Sequence, residues 1–353
     1  MELYGRKWTR RELEARVGRL EQIGGIKRVL GAEGAETGVE LIQVRTGAGL
    51  SYIVSPTKGL DISLAEFGGS PISWQSPNGD AHPSAYDGEG SGWLRTASGG
   101  LLMTCGLSNV GSPSSLQGRT YGMHGRVHHL SASHVCAEGR WDEDHYTMNI
   151  RGQVDETSIF GSHLRMYREV RSRLGQNTIE IIDTLENAGY QSAPHMMLYH
   201  FNFGFPLLDE RTVMQFPSER VNARDKGTPA EGYDIWESPE NGYRERVYYH
   251  ELPQGKDSVH AELYQPAFPV ALGTVPLRVR LTWSSKTLPR LVQWKMAGER
   301  EHVLGIEPSN CGVEGIAAEQ NKGTLTVLQP GGRVRYQLRL DLSSGTAEGS
   351  SDL

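Results

Sequence analysis

The sequence predicts a mainly β fold, an antiparallel β-sandwich with a short N-terminal helix. Three observations predict it. A dozen short runs that read as strands fill the chain from Val39 onwards, broken by Gly, Pro, Asn and Asp. No strand–helix–strand rhythm separates them, which argues against a doubly wound nucleotide-binding fold. The 43 glycines and ordinary aromatic content (8%) suit a loop-rich β protein better than a helical bundle. The expected organisation is an N-terminal helical extension at 1–30, one large β domain at 31–345 and a flexible tail at 346–353.

The first element is a helix. Thr9 and Glu12 have capping-box spacing, in which hydroxyl and carboxylate each satisfy an orphan amide. Leu13, Val17 and Leu20 follow at helical spacing, and Gly24-Gly25 closes the element. Strands are expected at 39–45, 50–55, 61–67, 145–154, 163–174, 178–186, 247–252, 261–265, 275–283, 291–296, 324–328 and 334–342. The last is the clearest: Val334, Tyr336, Leu338, Leu340 and Leu342 share one face, while Arg335, Gln337, Arg339 and Asp341 share the other. Between Gln75 and Tyr121 the chain is rich in Gly, Ser, Asn and Pro, with little regular pattern. Trp93, Leu94, Leu101, Leu102 and Met103 give this stretch apolar anchors, so it is expected to be an ordered excursion that could roof a site.

Composition excludes several functions. The formal net charge of −6 offers no basic surface for nucleic acid or an anionic membrane. The three cysteines, Cys105, Cys136 and Cys311, are far apart and form no CxxC pair, so neither a zinc knuckle nor a disulfide framework is indicated and a reducing cytoplasm is expected. The N-terminus is too charged for a signal peptide, and no apolar run reaches the roughly 18 residues of a membrane span. No P-loop, HExxH or GxSxG motif is present.

Three segments carry candidate chemistry. In PHMMLYHFNFGFPLLD (194–209) alternation puts His200, Asn202 and Gly204 on one face. Met197, Tyr199, Phe201, Phe203 and Phe205 fall on the other, with His195 on the far side from His200 as a packing residue. A polar face on a half-solvated strand is also the ordinary case in antiparallel sheets. In YGMHGRVHH (121–129), His124, Arg126 and His128 alternate as on a strand. They suit a cation-rich wall for a polyhydroxylated or anionic ligand, or a metal site; the plain alternative, favoured for His128 and His129, is a solvated edge. In LGIEPSN (304–310), Glu307 follows an apolar stretch, and Pro308 is expected to stop the hydrogen-bond ladder there. A carboxylate at such a strand end can serve as a general base, and can equally be a surface glutamate.

Taken together, the blocks at 59–77, 99–111, YGMHGR (121–126), LYHFNFGFPLLDE (198–210), QWKM (293–296) and GIEPSN (305–310) resemble the aldose 1-epimerase (galactose mutarotase-like) superfamily, and more closely its DUF4432 branch. The resemblance implies a β-supersandwich that binds a small-molecule sugar or sugar derivative on a concave face. It implies His200 as general acid, Glu307 as general base across the ring, and His124 as a hydrogen-bonding partner of the ring oxygen or a neighbouring hydroxyl. Arg126, Asn202, Trp294, Lys295 and Asn310 would bind substrate, and no cofactor would be needed. Two other readings use the same face. One is a non-catalytic carbohydrate-binding protein with Trp93 and Trp294 stacking on sugar. The other is a metal-dependent isomerase with His124, His200 and Glu307 holding a divalent metal.

Overall fold

The computed structural model describes residues 1–345; the tail expected at 346–353 lies outside them. Two antiparallel sheets make the body of the protein. The eight-stranded sheet runs Ser133–Asp142, His145–Thr157, His163–Arg173, Thr178–Asn187, Arg333–Ser344, Gly273–Ser284, Ser258–Val270 and Val213–Gln215. The main path of the twelve-stranded sheet starts at an edge formed by Arg220–Ala223. It continues through Arg246–Glu251, Arg290–Ala297, His302–Ser309, Ala193–Gly204, Leu102–Leu107, Asp61–Phe67, Leu50–Ser55 and Glu40–Arg45 to Gly25–Leu30. Among the described residues no helix is long and apolar enough to cross a membrane.

Side-chain alternation divides the larger sheet into two packed faces. Met197, Tyr199, Phe201 and Phe203 enter the inter-sheet core with Ile179, Ile181, Leu338 and Leu340 from the opposite sheet. Met196 and Leu198, on the same strand, enter a second cluster with Met103, Cys105, Val292 and Trp93. His200 and Asn202 share that second face, and both are buried. The strand is therefore covered on both sides, and its polar face is lidded rather than wet.

A charged cluster is sealed inside the sandwich. Arg168, on the smaller sheet, donates through Nε to Asp183 Oδ1 (2.9 Å) and through Nη2 to Asp183 Oδ2 (2.6 Å). Its Nη1 donates to Asp61 Oδ1 (2.6 Å) on the larger sheet. Asp61 also accepts from the backbone N–H (2.8 Å) and hydroxyl (2.6 Å) of Thr104, while the Tyr199 hydroxyl donates to Asp183 (2.7 Å). The neighbouring carboxylates hold the Arg168 guanidinium pKa above its ordinary value, against the opposing effect of burial.

Several expected boundaries shift. The Thr9–Glu12 capping box is present, but the helix spans only Arg10–Glu14. Leu20 belongs to a separate 3-10 turn, Leu20–Gln22. Leu13 and Leu20 converge on one small cluster with Leu3 and Leu174, so the helical spacing serves two elements. Residues 25–30, expected in the extension, pair with Glu40–Arg45 as an edge strand of the large sheet. The roof segment contains the interior strand Leu102–Leu107, every residue of which is buried. A strand covered on both faces loses the alternation by which it could be read. Beyond Tyr121, which ends the short strand Arg119–Tyr121, residues 122–129 do not continue as a strand. His124 and Gly125 both adopt left-handed conformations (φ 55° and 70°), and Val127–His129 is a 3-10 turn. A Cβ on Gly125 would lie 2.1 Å from the Gly106 carbonyl oxygen, so glycine is required at that close approach. Phe205 lies past the strand end and is exposed. Pro308 does not stop its strand, which pairs on through Leu291↔Pro308 and Arg290↔Ser309.

Replacing Arg168 by Met strands two buried carboxylates. The expected loss is about 3–5 kcal/mol of unfolding free energy in urea titrations at pH 7. A loss under about 1 kcal/mol, the scale of an exposed pair, contradicts this role.

Candidate active site

His200 and Glu307 meet because of sheet register. The pairs Leu198↔Ser309 and Phe201↔Ile306 set His200 opposite Glu307 on the adjacent antiparallel strand. At that step the ladder lacks its usual rungs, and Pro308 has no N–H to supply one. On its other side His200 pairs with Met103, and Glu307 pairs with Val292. These four side chains form one row across the face. The next row runs Asn202, Gly305, Trp294 and Val247. Gly305 clears space beside Glu307: a Cβ there would sit 2.4 Å from Glu307 Oε1 and 3.0 Å from Trp294 Cβ.

The rows form the floor of a cavity of about 460 Å³ walled by Trp74, Trp93, His124 and Trp294. His200 Nε2 stands 3.1 Å from Glu307 Oε1. The approach is not aligned as a hydrogen bond, and both Glu307 Oε1 and His200 Nδ1 are buried without a partner. The Trp294 and His124 rings meet His200 edge-on, with centroids 5.5 and 6.0 Å away. The left-handed turn at His124 aims its ring inward against Trp93 (4.7 Å), and its Nδ1 accepts from the Gly111 N–H (3.3 Å).

Burial governs the electrostatics. It pushes the Glu307 carboxyl well above the usual range; Glu245 adds to the rise and Arg224 opposes it. His200 is pushed down to about 3 by burial and by His124, and His124 down to about 4 by burial and by His128. A histidine 3.1 Å from a carboxylate would ordinarily favour the charged pair. Here burial works against both charges, pushing the histidine down and the carboxyl up.

Of the other residues expected to bind substrate, Trp294 lines the cavity and four do not. Arg126 is exposed and donates to the Thr157 carbonyl (2.9 Å). Lys295 follows Trp294 on a strand and so points to the opposite side, where it is fully buried and donates to the Gly232 carbonyl (2.8 Å) beside Glu237 (2.8 Å). The Asn310 side chain accepts from the Met197 N–H (2.8 Å) and ties two strands together. Asn202 shares the His200 face but lies behind the lining, donating to the carbonyls of Gly100 (3.1 Å) and His200 (3.0 Å). His128 is buried, with Nδ1 2.7 Å from Asp61 Oδ2. His195 is a packing residue, its Nε2 2.5 Å from the Tyr336 hydroxyl.

Sequence reading missed Arg224, Glu245 and Trp74, all of which line the cavity. Arg224 is held by Asp225 (2.7 Å) and Glu245 (2.9 Å), and Glu245 accepts from Trp294 Nε1 (2.9 Å). No local pattern marks Arg224 or Glu245, whereas Trp74 lies inside the 59–77 block. Among the described residues no three His, Cys, Asp or Glu side chains converge in a spacing that would hold a metal ion, and His124, His200 and Glu307 are no exception.

Residues 36–342 match the model of a family described as a domain of unknown function, DUF4432. The chain belongs to the DUF4432 family. No curated protein sequence matches it. Among solved structures, this DUF4432 chain is similar to a candidate aldose 1-epimerase from Klebsiella pneumoniae (TM-score 0.78, 24% identity, 90% of this chain and 83% of that one). It is also similar to a galactose mutarotase-like protein from Clostridium acetobutylicum (TM-score 0.58, 14% identity, 92% and 100%). A third similar structure is galactose 1-epimerase from Lactobacillus acidophilus (TM-score 0.55, 13% identity, 91% and 99%). These likenesses establish the galactose mutarotase-like fold of the DUF4432 chain.

Two outcomes follow from the geometry. Gly305→Ala drives a methyl into Glu307 and Trp294, so ligand binding measured by calorimetry should weaken while the far-ultraviolet circular dichroism is unchanged; unaltered binding contradicts the close fit. His195, His200 and His250 are buried with pKa values lowered to about 4, 3 and 4 from 6.5. Each is neutral when folded but takes a proton on unfolding below pH 6.5. Stability should therefore fall with decreasing pH from about 6.5 towards 4, by up to about 1.4 kcal/mol per unit for each histidine. Equal denaturant midpoints at pH 7 and pH 5 would contradict it.

Proposed function

We propose that this DUF4432 protein is a sugar isomerase of the aldose 1-epimerase type, with His200 and Glu307 as its proton-transfer pair. The observation that carries the proposal is the cross-strand contact itself: two unpartnered, buried titratable groups 3.1 Å apart on the floor of a tryptophan-walled cavity. The names of the similar structures support the sugar class.

The geometry suits the anomeric end of a sugar. The ring oxygen and the anomeric hydroxyl are bonded to the same carbon, so groups serving both must be neighbours. This differs from the expectation of an acid and a base on opposite sides of the ring. As the bond from C1 to the ring oxygen breaks, one member gives that oxygen a proton. The other takes the proton of the anomeric hydroxyl, and C1 becomes an aldehyde. Rotation about C1–C2 and the reverse transfers close the other anomer. With His200 as acid and Glu307 as base, the pair must hold its proton on His200, 3.1 Å from Glu307, when the ring opens. Arg224 favours the carboxylate form that this requires. His124 would hydrogen-bond the ring oxygen or a neighbouring hydroxyl. No cofactor enters the scheme, and a reducing cytoplasm suits the three unpaired cysteines.

A non-catalytic sugar-binding protein is the second reading, favoured by Trp74, Trp93 and Trp294 on the cavity wall. Anomer exchange followed by NMR over a panel of aldoses and their derivatives separates the two. Glu307→Gln and His200→Gln should each slow the accelerated exchange by about 10²–10⁴-fold, with binding retained in calorimetry. Sugar binding with no acceleration of any panel member rules out the isomerase.

A further inference from the structure

A second cleft, of about 800 Å³, opens beside the candidate active site, and nothing in the scheme above uses it. Its position follows from the same sheet register. The row His200, Glu307, Val292 continues through Val292↔Tyr249 and Tyr249↔Asn222 to the edge strand. Tyr249 and Asn222 therefore lie on the His200 face, and both line the second cleft. Tyr249 stands two strands from Glu307, about 10 Å at the usual strand spacing.

The two spaces meet along neighbouring residues. Val292 and Val313 line the catalytic cavity, while Tyr249 and Glu314, their neighbours in register and in sequence, line the cleft. The Tyr249 hydroxyl donates to Glu314 Oε1 (2.7 Å), and Lys322 Nζ lies 3.2 Å from Glu314 Oε2. The Tyr249 hydroxyl and Lys322 thus hold the Glu314 carboxylate on the cleft side of this boundary.

The lining indicates what the cleft would accept. It carries four carboxylates and four cationic side chains, together with Asn222, Gln254, Ser285 and the Tyr249 ring. Balanced charge gives no attraction to a phosphate or a polyanion. Interspersed donors and acceptors around an aromatic face match sugar hydroxyls, which both donate and accept, and the C–H face of a pyranose.

The geometry points to an extended saccharide site: the reducing-end unit occupies the His200–Glu307 cavity, and the next unit of an uncharged di- or oligosaccharide lies over Tyr249 in the adjoining cleft. This rests on the sugar reading of the cavity, and it adds that the substrate is longer than a monosaccharide.

The test uses the full chain and its Asn222→Trp variant. Asn222 is exposed on an edge strand, so a tryptophan there fills the cleft without entering the core. Anomer exchange is measured by NMR for panel monosaccharides and for reducing disaccharides ending in the same units. The expected result is a KM about tenfold lower for one disaccharide than for its monosaccharide, with that advantage lost in Asn222→Trp and the monosaccharide KM unchanged. Equal KM values for mono- and disaccharides, or an equal effect of the variant on both, overturn the extended site and leave the isomerase reading standing. If no sugar is turned over, the isomerase reading fails, and calorimetry with the same disaccharides decides the cleft by itself. Disaccharide binding that Asn222→Trp weakens supports the extended site, and binding that is absent or insensitive to the variant overturns it.

Discussion

The buried guanidinium of Arg168 is the constraint on which the rest depends. It lies between the sheets, with Asp183 beside it on the smaller sheet and Asp61 across from it on the larger. A charge placed there is costly unless every donor and acceptor is satisfied, and the geometry that satisfies them leaves little freedom in how the sheets register. Asp183 accepts a hydrogen bond from the hydroxyl of Tyr199, which immediately precedes His200. One face of that strand is pinned by the ion cluster, and His200 must project from the other. Asp61 reaches His128, whose Nε2 is 3.2 Å from Ser98 in the roof and whose ring lies 6.0 Å from Trp93 on the cavity wall. The same cluster therefore ties the floor of the site to its cover.

Burial turns this placement into chemistry. An exposed histidine–glutamate pair would be charged and weakly coupled. Under the roof, burial pushes both members towards neutrality. Tryptophans on three sides keep the local dielectric low, which strengthens any contact to a developing charge. Gly305, with no side chain, leaves the carboxylate accessible from the cavity.

Much of the fold is legible in the sequence wherever one face of a strand differs from the other. Leu50–Ser55 and Asp61–Phe67 are found at the bounds their alternation gives. Leu102–Leu107, buried on both faces, carries no such signal although it pairs directly with the His200 strand. In the site, His200 and Glu307 stand out as residues, but their contact does not. It arises from an antiparallel pairing of strands a hundred residues apart, and only the assembled sheet sets that register. Alternation alone shows that Trp294 and Lys295 cannot both face the cavity, and reading QWKM as one block obscured it. His124 is legible by type while its conformation is not, because the two left-handed residues of its turn replace an expected strand.

A double-mutant cycle tests most directly the claim that His200 and Glu307 work as one unit. Anomer-exchange rates are measured for His200→Gln, Glu307→Gln and the doubly substituted protein on one responsive sugar. Residues that pass a shared proton are strongly non-additive, so the double variant should be no slower than the slower single variant. Losses that multiply would show two residues acting independently and would contradict the account.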